Sequence, residues 1–126
     1  MKKIIYSSEA PEPIGPYSQA VIAGNFIYLS GQICIDPQTG ELISGSAADE
    51  THQVMKNIGK VLEKAGYTYA DIVKTTIFLS DMQLFAQVNE AYGSYFEENF
   101  PARETVAVAG LPKNVNVEIS VTAYKS

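Results

Sequence analysis

The strands this sequence predicts are apolar on both faces, and two helices can cover only one of them. In the run Asn25 to Ser30, Phe26 and Tyr28 point one way while Ile27 and Leu29 point the other. In the run Ile72 to Leu79, Ile72 and Phe78 oppose Val73, Ile77 and Leu79. The chain has 126 residues, 46% of them apolar and 18% charged, enough for one compact domain spanning residues 1–126 and too few for two of ordinary size. In a chain this small the cover expected for the second face is another copy of the chain, so a homo-oligomer with sheets packed against each other is predicted.

The elements follow from period and punctuation. Tyr17 to Ile22 and Asn25 to Ser30 read as a hairpin joined at Ala23-Gly24, with Gly and Asn supplying the positive φ of a tight turn. Gln32 to Ile35 is extended, and Asp36-Pro37-Gln38-Thr39-Gly40 is a turn. From Ala47 to Ala65, Val54, Ile58, Val61, Leu62 and Ala65 recur at helical spacing, with Gly66 as the stop. Ile72 to Leu79 is rich in β-branched residues and reads as a strand. Ser80 or Asp81 then caps a second helix, whose stripe is Leu84, Phe85, Val88, Tyr92, Tyr95 and Phe96. Strands at Glu104 to Ala109 and Val115 to Tyr124 complete the chain around Gly110-Leu111-Pro112. The order is ββαβαββ: an α+β domain with a mixed sheet and two helices on one face.

Composition removes several functions. Met1 to Tyr6 contains no secretory h-region or membrane span, so a cytoplasmic protein without membrane contact is expected. The single cysteine, Cys34, can form no internal disulfide, and between two isoleucines it reads as a small buried thiol. A net charge of −5 with no basic run argues against nucleic acid as a partner. The one histidine, His52, has no acidic partner in any motif, which leaves no material for a catalytic triad. Gly31, Gly40 and Gly45 are too dispersed for a phosphate loop, and metal-ligand spacing is absent; neither a cofactor nor a metal is expected.

What remains is Arg103 and Glu118. Arg103 follows Phe100-Pro101-Ala102 at the entrance to a strand, where the proline fixes the backbone and so the direction of the side chain. Its planar fork of donors matches a carboxylate bidentately, although a solvated or ion-paired surface arginine fits the same pattern. Glu118 alternates with Val117 and Ile119 and shares the polar face of the last strand with Asn116, Ser120 and Thr122. In a lone domain that face is wet; in an oligomer covering it, Glu118 becomes a carboxylate in an inter-subunit cleft, able to orient water or take its proton.

Together, Gly15-Pro16-Tyr17-Ser18-Gln19-Ala20, Ser30-Gly31-Gln32-Ile33, Gln53 through Asn57-Ile58, Val88-Asn89, Pro101-Ala102-Arg103 and Val117-Glu118-Ile119 resemble the reactive intermediate/imine deaminase family, of the RidA or YjgF type, in order and spacing over nearly the whole chain. The resemblance implies a chorismate-mutase-like fold assembled as a homotrimer, with sites in the clefts between subunits. It implies hydrolysis of 2-iminobutanoate and 2-iminopropanoate to 2-keto acids and ammonia, with no cofactor. Arg103 and Glu118 match the pair that distinguishes the deaminase branch. By the same carry-over Tyr17 closes the pocket from a neighbouring subunit, Ser30 and Gly31 border the ligand, and Asn89 lines the pocket. Thr105 stands where many relatives carry a cysteine, so any role there falls to its backbone or hydroxyl; Gly110 stands where an arginine is frequent. Two rival readings stand beside it: a regulatory trimer that binds keto or amino acids in the same cleft without turnover, in which Glu118 is dispensable, and the endoribonuclease or translation-inhibitor role that some members of the family carry, which the acidic balance and the lack of a basic groove disfavour.

Overall fold

The computed structural model describes residues 1–126. Six strands form one sheet: β1 (Lys3–Ile5), β2 (Ala20–Ala23), β3 (Phe26–Leu29), β4 (Ile72–Leu79), β5 (Ala102–Ala107) and β6 (Val117–Tyr124). Their order across the sheet is β1-β2-β3-β6-β4-β5. All neighbours are antiparallel except β4 and β5, which run parallel and are joined by a helical crossover. Two helices, α1 (Ala47–Ala65) and α2 (Phe85–Gly93), pack against each other over one face of this mixed sheet.

The helix α1 starts at Ser46, whose hydroxyl accepts from the Asp49 amide while the Asp49 carboxylate accepts from the Ser46 amide. It stops at Gly66 in the left-handed region, φ 86°. Between these ends Val54, Met55, Ile58, Val61 and Leu62 are completely buried, each contributing about 1.5–3 kcal/mol relative to exposure. Two polar residues on the same face are satisfied rather than solvated. Asn57 donates to the carbonyls of Ile33 and Ile35, which fixes the extended segment after β3. Glu50 accepts from the Asn116 backbone and side-chain amides and from the Cys34 thiol, clipping the helix to the entry of β6. Burial, with the Glu50 charge second, pushes the Cys34 thiol up to about 11, so it is an inert core group.

The structure departs from the sequence expectations in several places. An additional edge strand, β1, pairs with β2, so the order is βββαβαββ rather than ββαβαββ. Tyr17 lies in a loop, because pairing in β2 begins only at Ala20. In the β2–β3 turn only Gly24 has positive φ, 62°; Asn25 does not. A β-bulge at Val73 shifts the register between Ile72 and Lys74, which turns Ile72 into the core with Ile77 and Leu79 and exposes Val73. Finally, α2 is shorter than its apolar stripe: Asp81 caps a separate 3-10 turn at Met82–Leu84, and the helix ends at Gly93. Gly93 weakens helix continuation, and Tyr95 and Phe96 pack beyond the end, their rings 5.3 Å from Tyr69 and 5.0 Å from Tyr92.

The face away from the helices stays apolar and uncovered. Phe26, Tyr28, Val106 and Tyr124 are each 39–49% exposed there, and the Phe26 and Tyr124 rings meet at 4.8 Å across the β3–β6 pair.

Candidate active site

Four of the candidate residues border one cavity of about 410 Å³: Tyr17, Ser30, Gly31 and Glu118. Its floor is built by backbone pairing. Gln32 and Ile119 exchange amide-to-carbonyl hydrogen bonds of 2.8 and 3.1 Å, which lays Gly31 directly against Glu118. A Cβ at Gly31 would overlap Oε2 of Glu118 and come within 2.9 Å of its Cδ, so only glycine leaves the carboxyl where it is. Ser30 is held by its hydroxyl, which donates to the Ser18 carbonyl at 2.6 Å. The wall carrying Tyr17 has no regular structure, and buried Gln19 ties it down: its side-chain oxygen accepts from the Ser7 amide, and its side-chain nitrogen donates to the carbonyls of Ser7 and Pro11. The Tyr17 ring itself is half exposed.

Within this cavity no side-chain hydrogen bond or ion pair reaches Glu118. Burial without a compensating donor raises its carboxyl above the usual range, the condition under which a carboxylate exchanges protons nearer neutrality.

Arg103 and Asn89 lie elsewhere, on a second cavity of about 440 Å³ shared with Tyr92, Phe100 and Pro101. Strand β5 begins at Ala102, two residues earlier than expected, so Arg103 is a paired strand residue in register with Thr75 rather than a residue at the entrance. Its Nη1 donates to Asn89 Oδ1 at 2.5 Å, and its guanidinium carbon sits 5.6 Å from the Phe85 ring centre and 5.5 Å from that of Tyr92. No carboxylate pairs with it: the ion pairs of the molecule join Lys60 to Glu9 and Glu63, and Lys74 to Glu104. Thr105, paired with core-facing Ile77, is on the same face as Arg103, and its Oγ1 is buried without a hydrogen-bond partner.

The two groups are not brought together in one chain. Thr75, the neighbour of Arg103, is wholly buried toward the helices, whereas Glu118 pairs with Phe78. Thr75 and Phe78 are three positions apart in regular strand, an odd step, so their side chains leave opposite faces. Arg103 therefore belongs to the helix side of the sheet and Glu118 to the open side, with β4 between their strands. His52 borders neither cavity; its Nδ1 lies 2.9 Å from the Tyr95 hydroxyl. Nowhere do three His, Cys, Asp or Glu side chains converge as a metal site requires, and no helix is long and apolar enough to cross a membrane. Sequence reasoning missed Gln19, Phe85 and Tyr92 as parts of these sites. For the last two a signal exists, since Phe85, Asn89 and Tyr92 follow one another at helical spacing of four and three.

The class the fold defines is an α+β domain: a mixed sheet with two helices on one face, which carries an arginine without a carboxylate partner on the helix side and a carboxyl raised by burial on the open side. The comparisons name the family. The family model described as Endoribonuclease L-PSP matches residues 7–125, and the chain belongs to that family, the RidA or YjgF type. It is 53% identical over 125 residues to a RutC family protein of Pyrococcus horikoshii, covering 99% of each chain. It is 47% identical to the human 2-iminobutanoate/2-iminopropanoate deaminase, covering 99% of this chain and 91% of that one. The crystal structure of YyfA from Yersinia pestis, a protein of the conserved Rid family, superposes with a TM-score of 0.96 at 48% identity, over 99% of this chain and 100% of the other.

Proposed function

We propose that this chain is a 2-iminobutanoate/2-iminopropanoate deaminase working as a homotrimer, with each site shared between two subunits. One subunit supplies Arg103, Asn89 and Thr105; its neighbour supplies Tyr17, Ser30, Gly31 and Glu118. The observation that carries this reading is complementary incompleteness: a cation without an anion on one side of the sheet, and a raised carboxyl without a donor on the other. The 47% identity to the human deaminase over nearly the whole chain supports the reaction, and the uncovered apolar face around Phe26, Tyr28 and Tyr124 supports an assembly that covers it.

In the proposed reaction Arg103 binds the substrate carboxylate and presents the imine carbon to a water beside Glu118. Glu118 takes a proton from that water as its oxygen bonds to the imine carbon, the C=N π electrons move onto nitrogen, and Glu118 passes the proton to that nitrogen. The tetrahedral carbinolamine then collapses: Glu118 takes its hydroxyl proton and delivers it to the amino nitrogen, the carbon–nitrogen bond breaks as the C=O bond forms, and ammonia departs from the 2-keto acid. Imines hydrolyse unaided, so acceleration of tens- to thousands-fold is enough, about 2–4 kcal/mol. Orientation and one general base supply that much. The endoribonuclease description of the family model has no support in the charge of this chain, −5 with scattered basic residues.

The test is competition between the protein and semicarbazide for imine generated in situ by an amino-acid oxidase. Wild type is expected to suppress trapping, while folded Arg103→Ala and Glu118→Gln leave it at the uncatalysed level. Keto-acid binding that needs Arg103, with no effect of the wild type on trapping, would make the protein a sensor instead.

A further inference from the structure

We infer that Phe85 and Tyr92 are positioning residues for Arg103: α2 is built as an aromatic cradle that fixes the guanidinium in the attitude a carboxylate ligand needs. The inference rests on the small-acid site proposed above and extends it to two residues that act through the arginine.

Phe85, Asn89 and Tyr92 stand at i, i+4 and i+7 of α2, on one stripe of the helix. Arg103 meets all three. Asn89 Oδ1 takes one N–H, and the rings of Phe85 and Tyr92 flank the guanidinium carbon at 5.6 and 5.5 Å, within cation–π range. A guanidinium has five N–H donors; the rings hold the group without using any, and Asn89 uses one, so a pair remains for a carboxylate. A second carboxylate in place of the rings would hold the arginine as firmly but neutralise the charge the ligand needs.

Tyr92 is itself staked at its far end. It is buried, and its hydroxyl donates at 2.9 Å to Thr75 Oγ1, the side chain of the strand residue in register with Arg103 on β4. Burial raises the Tyr92 hydroxyl above the ordinary phenol range, so it remains a protonated donor throughout the working pH range. Helix and sheet thus fix the ring from both ends, and the ring in turn fixes the arginine of the next strand. Phe85, half-buried near the helix start, closes the other side. A core role alone explains neither the missing carboxylate at Arg103 nor the convergence of both rings and Asn89 on one guanidinium.

The test is calorimetric binding of 2-oxobutanoate, together with kcat and KM from the trapping assay, for Phe85→Leu, Phe85→Tyr, Tyr92→Leu and Tyr92→Phe, each checked for fold by circular dichroism. Phe85→Leu is the main variant because the site is half-buried and leucine keeps most of the volume. Expected are a loss of affinity and a rise in KM of about tenfold in both leucine variants, with kcat within about threefold of wild type, rescue to near wild type in Phe85→Tyr, and a smaller loss, about threefold, in Tyr92→Phe, which keeps the ring but not its bond to Thr75. Phe85→Leu that folds and binds 2-oxobutanoate like wild type overturns the inference, as does a fall in kcat at unchanged KM, the mark of a reduced folded fraction. Because binding is read separately from turnover, failure of imine hydrolysis in wild type would strike the deaminase reading while leaving the cradle to be judged on affinity.

Discussion

The two sides of the sheet hold their ionisable groups in opposite ways. Arg103 is steadied by side chains, two rings and an amide presented by α2, whereas Glu118 is framed by backbone, the Gly31–Gln32 segment bridged to β6. The rings and the amide fix the direction of the guanidinium while leaving N–H donors free. A carboxyl is different: withholding donors moves its proton affinity toward the range where water chemistry needs it. The proposed anchor is held by contacts and the proposed proton carrier by their absence.

The largest expected effect tests whether these sides act across subunits. If each site takes Arg103 from one subunit and Glu118 from the next, co-refolding equal amounts of Arg103→Ala and Glu118→Gln should restore about a quarter of wild-type activity, because that share of random pairings unites two intact partners. Each variant alone should stay at the uncatalysed level. No recovery in demonstrably mixed trimers would sink the shared site. Next in size is Gly31→Ala. Its new methyl must displace the mobile end of Glu118 and not a backbone atom, and Gly31 is not among the glycines with positive φ. The variant should melt near wild type while losing activity on the order of tenfold or more, and equal losses of both would mean that Gly31 serves the fold.

How much of this was legible follows from what each feature depends on. The helix α1 declares itself because Val54, Ile58, Val61 and Leu62 keep one period and Gly66 ends it; local pattern and tertiary demand agree. Strand β1 does not, since Lys3–Ile5 is too short for alternation to register and exists only by pairing with β2. Val73 shows the limit of reading faces from parity: one extra residue against β6 inverts Ile72 and Val73, and nothing in their identities marks it. The same limit governs the site. Arg103 and Glu118 stand out by residue type and by family spacing, but their departure from opposite faces depends on registers across β4, which no single strand carries. Phe85 and Tyr92 read as core stripe because an aromatic ring beneath an arginine has the same sequence signature as one beneath a leucine.

The smallest expected effect separates the two sides most cleanly, because it concerns stability instead of rate. Burial raises the Glu118 carboxyl in the folded chain above its unfolded value, so the folded state binds this proton more tightly. The resulting contribution to stability is fully present below the unfolded pKa and is lost as pH rises through the folded one. At neutral pH ionised Glu118 is therefore a burden that Glu118→Gln relieves. The variant should melt higher than wild type by on the order of a degree or two at pH 7, since the group is partly solvated, and the gain should vanish at pH values below the ordinary glutamate range. Arg103→Ala leaves the Glu118 carboxyl in place and serves as the control. Thermal melts of the three proteins across acid to neutral pH check this, and a Glu118→Gln difference that stays flat with pH would mean that the carboxyl is satisfied in solution by a donor, removing the basis for its role as the proton carrier.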